Sequence, residues 1–333
     1  MALPVENGDP SLFLIKVLPG FDVKKTFDYE QFRTLCVRLF SEYEVEQDEW
    51  RVREVFELFD ADANGVLDNQ EIHSCCNWIH AIVNPVNVLL VVDVQNDFID
   101  GTLALRKCGF GQDGLEVVQP INRLLKEGRW DKVIYTQDWH PENHISFFEN
   151  LAMRELHPKS EITKETAKPF DTVVFLQPHI TQILWPKHCV KNTWGAELHK
   201  DLLIIPSSER VHKGQDPDKE SYSAFEDAEG SLKLKRILSA VGATHLYACG
   251  IAYDICVKQT CLDCLRLGYP VAVIEDCCRS VKPDSETTTT YIENGALVER
   301  SDRILSLVND GKHSLVMAHQ AAKFINQTKL HIM

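Results

Sequence analysis

No apolar run in this sequence is long enough to cross a bilayer, and its first residues, MALPVENGDP, have neither the basic nor the apolar region of a secretory leader. A cationic surplus is missing too. Lys and Arg number 35 against 49 Asp and Glu, a net charge of −14, which argues against nucleic acid or an anionic membrane as a partner. These absences lead us to expect a soluble protein of the cytoplasm or nucleus. Cysteine is not scarce. There are 11, an odd number, with adjacent pairs at Cys75/Cys76 and Cys277/Cys278, and without a leader they read as reduced thiols. Cys261 and Cys264 form a C-x-x-C with no second pair near it, which counts against a zinc ribbon. With 333 residues and 44% hydrophobic composition, the chain has room for one large domain and a small one.

The small one is expected over residues 1–84, where aromatic anchors in YEQFRTLCVRLF and EWRVREVFELF keep helical spacing and no run is of strand type. Between these helices lies DADANGVLDNQE, Asp60 to Glu71. Side-chain oxygens recur at Asp60, Asp62, Asn64 and Asp68, Gly65 stands at the sharp bend, the Val66 carbonyl is available, and Glu71 closes the loop. A hard cation the size of calcium needs that ring of oxygens with one bidentate carboxylate, so the spacing is that of an EF-hand calcium loop. A merely solvated acidic loop would leave Gly65 and Glu71 in register without reason. Upstream, FDYEQF at Phe27 to Phe32 resembles the end of a second such loop, whose beginning near Leu18 to Val23 has few ligands. It reads as a degenerate partner that packs without binding. A structural cap or a docking module for a protein partner suits such a unit better than a switch, because the reactive residues all lie further along the chain.

After Asn84-Pro85 the pattern changes, and residues 86–333 form the expected large domain. Val88 to Val92 is a continuous apolar run of the kind found in central parallel strands. Strands at Lys132–Thr136, Leu203–Ile205, Thr244–Cys249, Val271–Ile274 and Ala296–Val298 alternate with helices near Val117–Lys126, Leu232–Ala240, Tyr253–Leu267 and Tyr291. That alternation predicts an α/β fold, a doubly wound parallel sheet with helices on both faces. Ligands of such folds gather at the carboxyl ends of the strands.

The chemistry-bearing residues collect there. THLYACGIAYDICVKQTCLDCLRL, Thr244 to Leu267, reads as strand, tight turn and helix, leaving Cys256 in the first helical turn, where free amides and the helix dipole favour a thiolate. A lone cysteine on an apolar helix is ordinarily core filler. Here Asp93 follows the first strand, Asp138 and His140 follow the second, and Lys213 lies just after a short apolar stretch in ERVHKG. Each alone has a dull explanation as a cap, a loop histidine or a surface lysine; together at strand ends they favour a catalytic crevice.

Five ordered blocks carry a resemblance: LLVVDVQNDF from Leu89, TQDWHPENH from Thr136, WPKHCVKNTWG from Trp185, HKG with SYSAF from His212 to Phe225, and GIAYDICV from Gly250. They resemble the nicotinamidases of the isochorismatase-like hydrolase superfamily over essentially everything after Pro85. The long block at Trp185 is most similar to the eukaryotic members, and the added EF-hand to the invertebrate form. The resemblance implies hydrolysis of nicotinamide to nicotinate and ammonia in NAD salvage, with pyrazinamide as a side substrate. It implies a catalytic triad of Asp93, Lys213 and Cys256, and a non-proline cis peptide at Ile251-Ala252 with the amides of Ala252 and Cys256 as oxyanion donors. Asp138, His140 and His188 match the family's ligands for a divalent transition metal, zinc first and iron or manganese next, with His144 as a further ligand or a supporting group. Phe98, Trp185 and Tyr222 match the aromatic walls around the ring. A homo-oligomer is a further expectation.

Three other readings compete. Another small-amide hydrolase of the superfamily, acting on carbamoyl compounds, explains the triad but not the metal ligands and aromatic walls. A calcium-binding interaction protein on a hydrolase scaffold does not explain an intact Asp, Lys and Cys set. An iron oxygenase built on Asp138, His140 and His188 leaves Cys256 and Lys213 without a role.

Overall fold

The computed structural model describes residues 27–330. The aromatic anchors form α1 (Tyr29–Phe40) and α3 (Glu49–Phe59), with α2 (Glu42–Gln47) between them and α4 (Asn69–Val83) after the acidic loop. Phe32, Phe56, Phe59 and Trp78 pack ring against ring in the centre of this unit. No strand is expected here, yet β1 (Phe27–Asp28) and β2 (Val66–Leu67) pair antiparallel, Phe27 opposite Leu67. The pair joins the end of the upstream loop to the acidic loop; Leu18 to Val23 lie outside the described residues.

The large unit is built on β3 (Asn87–Val92), every residue of which is buried, as an apolar run between neighbours on both edges and helices on both faces must be. After a short α5 (Asn96–Ile99) come α6 (Val118–Glu127), β4 (Lys132–Asp138), an antiparallel hairpin β5 (Thr172–Phe175) and β6 (Ile180–Ile183), β7 (Glu209–Lys213), α7 (Ala228–Val241), β8 (His245–Ile251), α8 (Cys256–Arg266), β9 (Val271–Arg279), α9 (Ser285–Glu293), β10 (Leu297–Glu299) and α10 (Ser301–Asn309). The six-stranded sheet has the order β10-β9-β8-β3-β4-β7, and every neighbouring pair is parallel. Gly250 sits where β8 passes closest to β3: with φ +124°, a side chain there would begin 2.0 Å from the Val92 carbonyl oxygen.

One expectation is corrected. Leu203–Ile205 is not a strand; the edge strand is the charged segment that follows, with Glu209 to Lys213 paired to Ile134 to Asp138. The Leu203 carbonyl accepts from the Tyr135 hydroxyl, which in turn accepts from the Ile205 amide, and Pro206 ends the segment. Its Leu203 and Ile205 side chains pack on the core without entering the ladder, while Ile204 is exposed. The last helix, α11 (Leu315–Leu330), sends Leu315, Ala318, Ala321 and Ala322 into the core of the N-terminal helices, while its Met317 joins the core of the sheet. Among the described residues, no helix is long and apolar enough to cross a membrane.

Candidate active site

Four adjacent strands, in the order β8, β3, β4 and β7, deliver the chemistry side by side. Asp93 follows β3, Asp138 ends β4, Lys213 ends β7, and Cys256 opens α8 just past β8. Asp138 and Lys213 are register partners. All four side chains are buried.

The Lys213 ammonium is the hub of the cluster. Its Nζ lies 2.9 Å from Asp93 Oδ2, donates to Asp138 Oδ1 and to the Ser221 carbonyl at 3.3 Å, and lies 3.5 Å from Cys256 Sγ. Asp93 is held on its other side by the Thr136 hydroxyl, which donates to Oδ1 at 2.6 Å. Burial raises the Asp93 carboxyl above its usual range; Lys213 opposes this and the nearby Asp138 adds to it. Burial would also raise Asp138, but Lys213 and then His140 hold it well below the usual carboxylate range. Burial would lower Lys213, yet Asp138 and Asp93 keep it firmly protonated. Cys256 departs from the expectation of a depressed thiol. Burial pushes it well up and Asp93 and Asp138 push the same way, against Lys213 alone, so it rests as the thiol. The Asp93 carboxyl, whose proton affinity burial raises, lies within 4.8 Å of the Cys256 sulfur.

The elbow supporting Cys256 contains a cis Ile251-Ala252 peptide, and the Ala252 carbonyl accepts from the Ile255 and Val257 amides at 3.0 Å each.

Asp138, His140 and His188 direct ligand atoms to one point, all within 4.8 Å of one another. Each imidazole is oriented from behind: His140 Nδ1 lies 2.8 Å from the Gly214 carbonyl and His188 Nδ1 2.8 Å from the Pro186 carbonyl. Carbonyl oxygens only accept, so both Nδ1 atoms carry a proton, and both Nε2 atoms face Asp138, at 3.7 and 3.9 Å from its Oδ2. His140 Nε2 is buried without a hydrogen-bond partner. One carboxylate, two oriented imidazoles and a buried ring nitrogen without a hydrogen-bond partner fit a divalent transition metal. Gly214, at φ +68°, lets the chain pass against His140, whose ring would lie 2.3 Å from an added Cβ.

His144 stacks on His140 with centroids 4.1 Å apart. Its Nδ1 meets the Ser146 hydroxyl at 2.8 Å and its Nε2 the Lys219 carbonyl at 3.2 Å, so both nitrogens are engaged and the ring buttresses His140. Burial and the neighbouring His140 push it down to about 4, keeping it neutral. Phe98, Trp185 and Tyr222 line the pocket with Asp138, His188, Ile251 and Cys256. The Trp185 indole donates to the Tyr222 hydroxyl at 3.1 Å, so two walls lock each other. A larger cleft of about 740 Å³ between the α1–α2 corner and the α10–α11 connection contains none of these groups.

Sequence reasoning missed three supports. Gln95 accepts from the Asp138 amide and donates to the Asp138 carbonyl, both at 2.8 Å. Asp97 accepts from the Cys189 amide at 2.7 Å, fixing a left-handed residue (φ +47°) immediately after His188. Glu220 lines the pocket, its carboxyl kept low against burial by His144 and His140. Gln95 and Asp97 lie within VQNDF, where only the surrounding block was informative; no spacing marks Glu220.

A family model described as an isochorismatase domain matches residues 87–294. The chain belongs to the isochorismatase family. This family member is 36% identical over 212 residues to the nicotinamidase of Saccharomyces cerevisiae, covering 60% of this chain and 91% of that protein. In three dimensions it is similar to an Acinetobacter baumanii nicotinamidase pyrazinamidase (TM-score 0.54, 35% identity, 66% of this chain and 98% of that one). It is also similar to an L. infantum protein, PnC1, solved in complex with nicotinate (TM-score 0.51, 29% identity, 65% and 93%). The isochorismatase-family chain is an amidohydrolase. Its helical unit over 27–83 and its last helix lie outside the family match.

Proposed function

We propose that this amidohydrolase converts nicotinamide to nicotinate and ammonia, in NAD salvage, through a thioester on Cys256. One observation carries the reading: a thiol, a lysine and a high-affinity carboxylate are buried together beside a three-ligand metal site, within an aromatic-walled pocket. Asp93 takes the Cys256 proton, and the thiolate attacks the carboxamide carbon while Lys213 holds the negative charge in place. The amides of Ala252 and Cys256 take up the developing oxyanion. Asp93 then returns the proton to the departing nitrogen, the C–N bond breaks and ammonia leaves the thioester. Water, deprotonated by Asp93, adds to the thioester; the C–S bond breaks, nicotinate departs and the thiol is restored. Asp138, His140 and His188 would hold a zinc, iron or manganese ion, which would supply a Lewis acid for water and for the pyridine nitrogen. Phe98, Trp185 and Tyr222 fit the flat faces of the ring.

The acidic loop is read as a calcium-binding EF-hand, with Asp60, Asp62, Asn64, Val66, Asp68 and Glu71 as ligands. The convergence of Asp60, Asp62 and Glu71 within 4.8 Å and the short β1–β2 pairing support this reading.

The experiment is ammonia release by the purified protein from nicotinamide, pyrazinamide and a carbamoyl compound in parallel. Turnover of nicotinamide is expected; its absence alongside turnover of the carbamoyl compound overturns the reading.

A further inference from the structure

The two helices flanking the acidic loop, α3 and α4, form a groove that a helix from the far end of the chain fills. Ala318 and Ala322 of α11 are wholly buried there with Val52, Val55 and Trp78. Small side chains at these places let the helix axes approach closely. Close approach is evident where the Trp78 indole on α4 donates to the Ala318 carbonyl at 2.7 Å.

Polar contacts to α3 set the register. Arg51 Nη1 lies 3.0 Å from His319 Nδ1, and His319 Nε2 lies 2.9 Å from Glu54. Arginine only donates, so Nδ1 accepts and Nε2 carries the proton: a neutral imidazole with one tautomer. Burial, which lowers its proton affinity, favours the same state. Lys323 adds an ion pair to Glu54 at 3.0 Å.

An apolar helix face laid across two loop-flanking helices is how calcium-loop units receive target helices, and calcium is what opens such a groove. The loop joins the end of α3 to the start of α4, and Glu71 spans both: its carboxylate accepts from the Ala61 amide at 2.7 Å and from the Asp68 amide at 2.8 Å. A cation that draws in this carboxylate shifts α4 relative to α3, and α11 rests on both. We propose that the α3–α4 groove is a helix-docking surface, that its partner is the chain's own C-terminal helix, and that calcium in loop 60–71 strengthens this docking. The proposal rests on the calcium reading given above. The short tether from Asn309 to Leu315 gives α11 a high effective concentration at the groove, which a helix from another protein would have to exceed. Because coupling is reciprocal, docking raises calcium affinity by the same factor by which calcium strengthens docking, so a variant that undocks the helix loses up to that factor in calcium affinity.

The test uses the full chain. Hydrogen exchange over 315–330 is followed with calcium and with chelator, and calcium affinity is measured by calorimetry for wild type, Ala322→Glu and Glu54→Gln. Calcium is expected to slow exchange in α11 about tenfold, and the variants to weaken calcium binding about tenfold and about threefold, within or near the usual range of coupling between sites. If Ala322→Glu fails to fold, Glu54→Gln decides. Calcium binding to wild type with no change in α11 exchange, or unaltered affinity in the folded variants, overturns the docking proposal and leaves the calcium reading standing. No calcium binding to wild type overturns both.

Discussion

Lys213 Nζ and Asp93 Oδ2 lie 2.9 Å apart with both side chains wholly removed from solvent, and the same ammonium also bonds Asp138. One cation therefore compensates two buried carboxylates. Lys213→Met should leave those carboxylates facing each other, abolish turnover and destabilise the large unit by about 3–5 kcal/mol, the usual cost of removing one partner from a buried pair. Urea unfolding of the two proteins measures this; an unchanged midpoint contradicts the hub role.

Cys256→Ala removes the proposed nucleophile and leaves the pocket walls in place. Ammonia release should fall by at least about a thousandfold, as expected when a catalytic unit loses its nucleophile. A thermal shift with nicotinamide should persist, because Phe98, Trp185 and Tyr222 still line the pocket. Turnover within tenfold of wild type would remove Cys256 from the mechanism.

The raised Asp93 carboxyl predicts an acid limb in kcat/KM at a pH above the ordinary aspartate value of about 3.9. The sign follows from its role: protonated Asp93 cannot accept the thiol proton, so activity falls as pH drops through its raised pKa. A pH profile at low nicotinamide reads this directly. No acid limb above the ordinary value would mean another group is the base.

Removing His188 and removing the carboxylate behind it should differ in degree. His188→Ala takes away one of the three proposed ligands and should nearly empty the site. Asp97→Ala frees the Cys189 amide and should weaken metal binding about 10- to 100-fold, as loss of an orienting partner does. Competition with a chromogenic chelator ranks the two, and equal affinity in Asp97→Ala and wild type would show that the His188 turn holds itself.

Glu71→Gln should weaken calcium binding and lower the melting temperature of the helical unit, yet change kcat for nicotinamide by less than about tenfold, about 1.4 kcal/mol in barrier. The catalytic groups all lie beyond Pro85, and none touches the loop. Calcium titrated against activity at saturating nicotinamide decides it: a larger change, lost in the variant, would make the small unit a switch.

What the sequence determined by itself was whatever is encoded locally. The buried strand Val88–Val92, the turn before Cys256 and the oxygen spacing of Asp60 to Glu71 depend on neighbouring residues, so each could be read in place. Residue types at strand ends then told which side chains would meet, because a parallel sheet sends all its carboxyl ends to one edge. Tertiary structure alone decided the rest. Leu203–Ile205 and Glu209–Lys213 are both plausible strands, and only pairing with β4 selects the more polar one. The small-residue face of α11 has no sign of which core it will join until the groove of α3 and α4 exists to receive it. The proton on Cys256 follows the same rule: a helix start and a lysine argue for a thiolate, but full burial beside two carboxylates reverses the balance, and burial is a property of the whole fold.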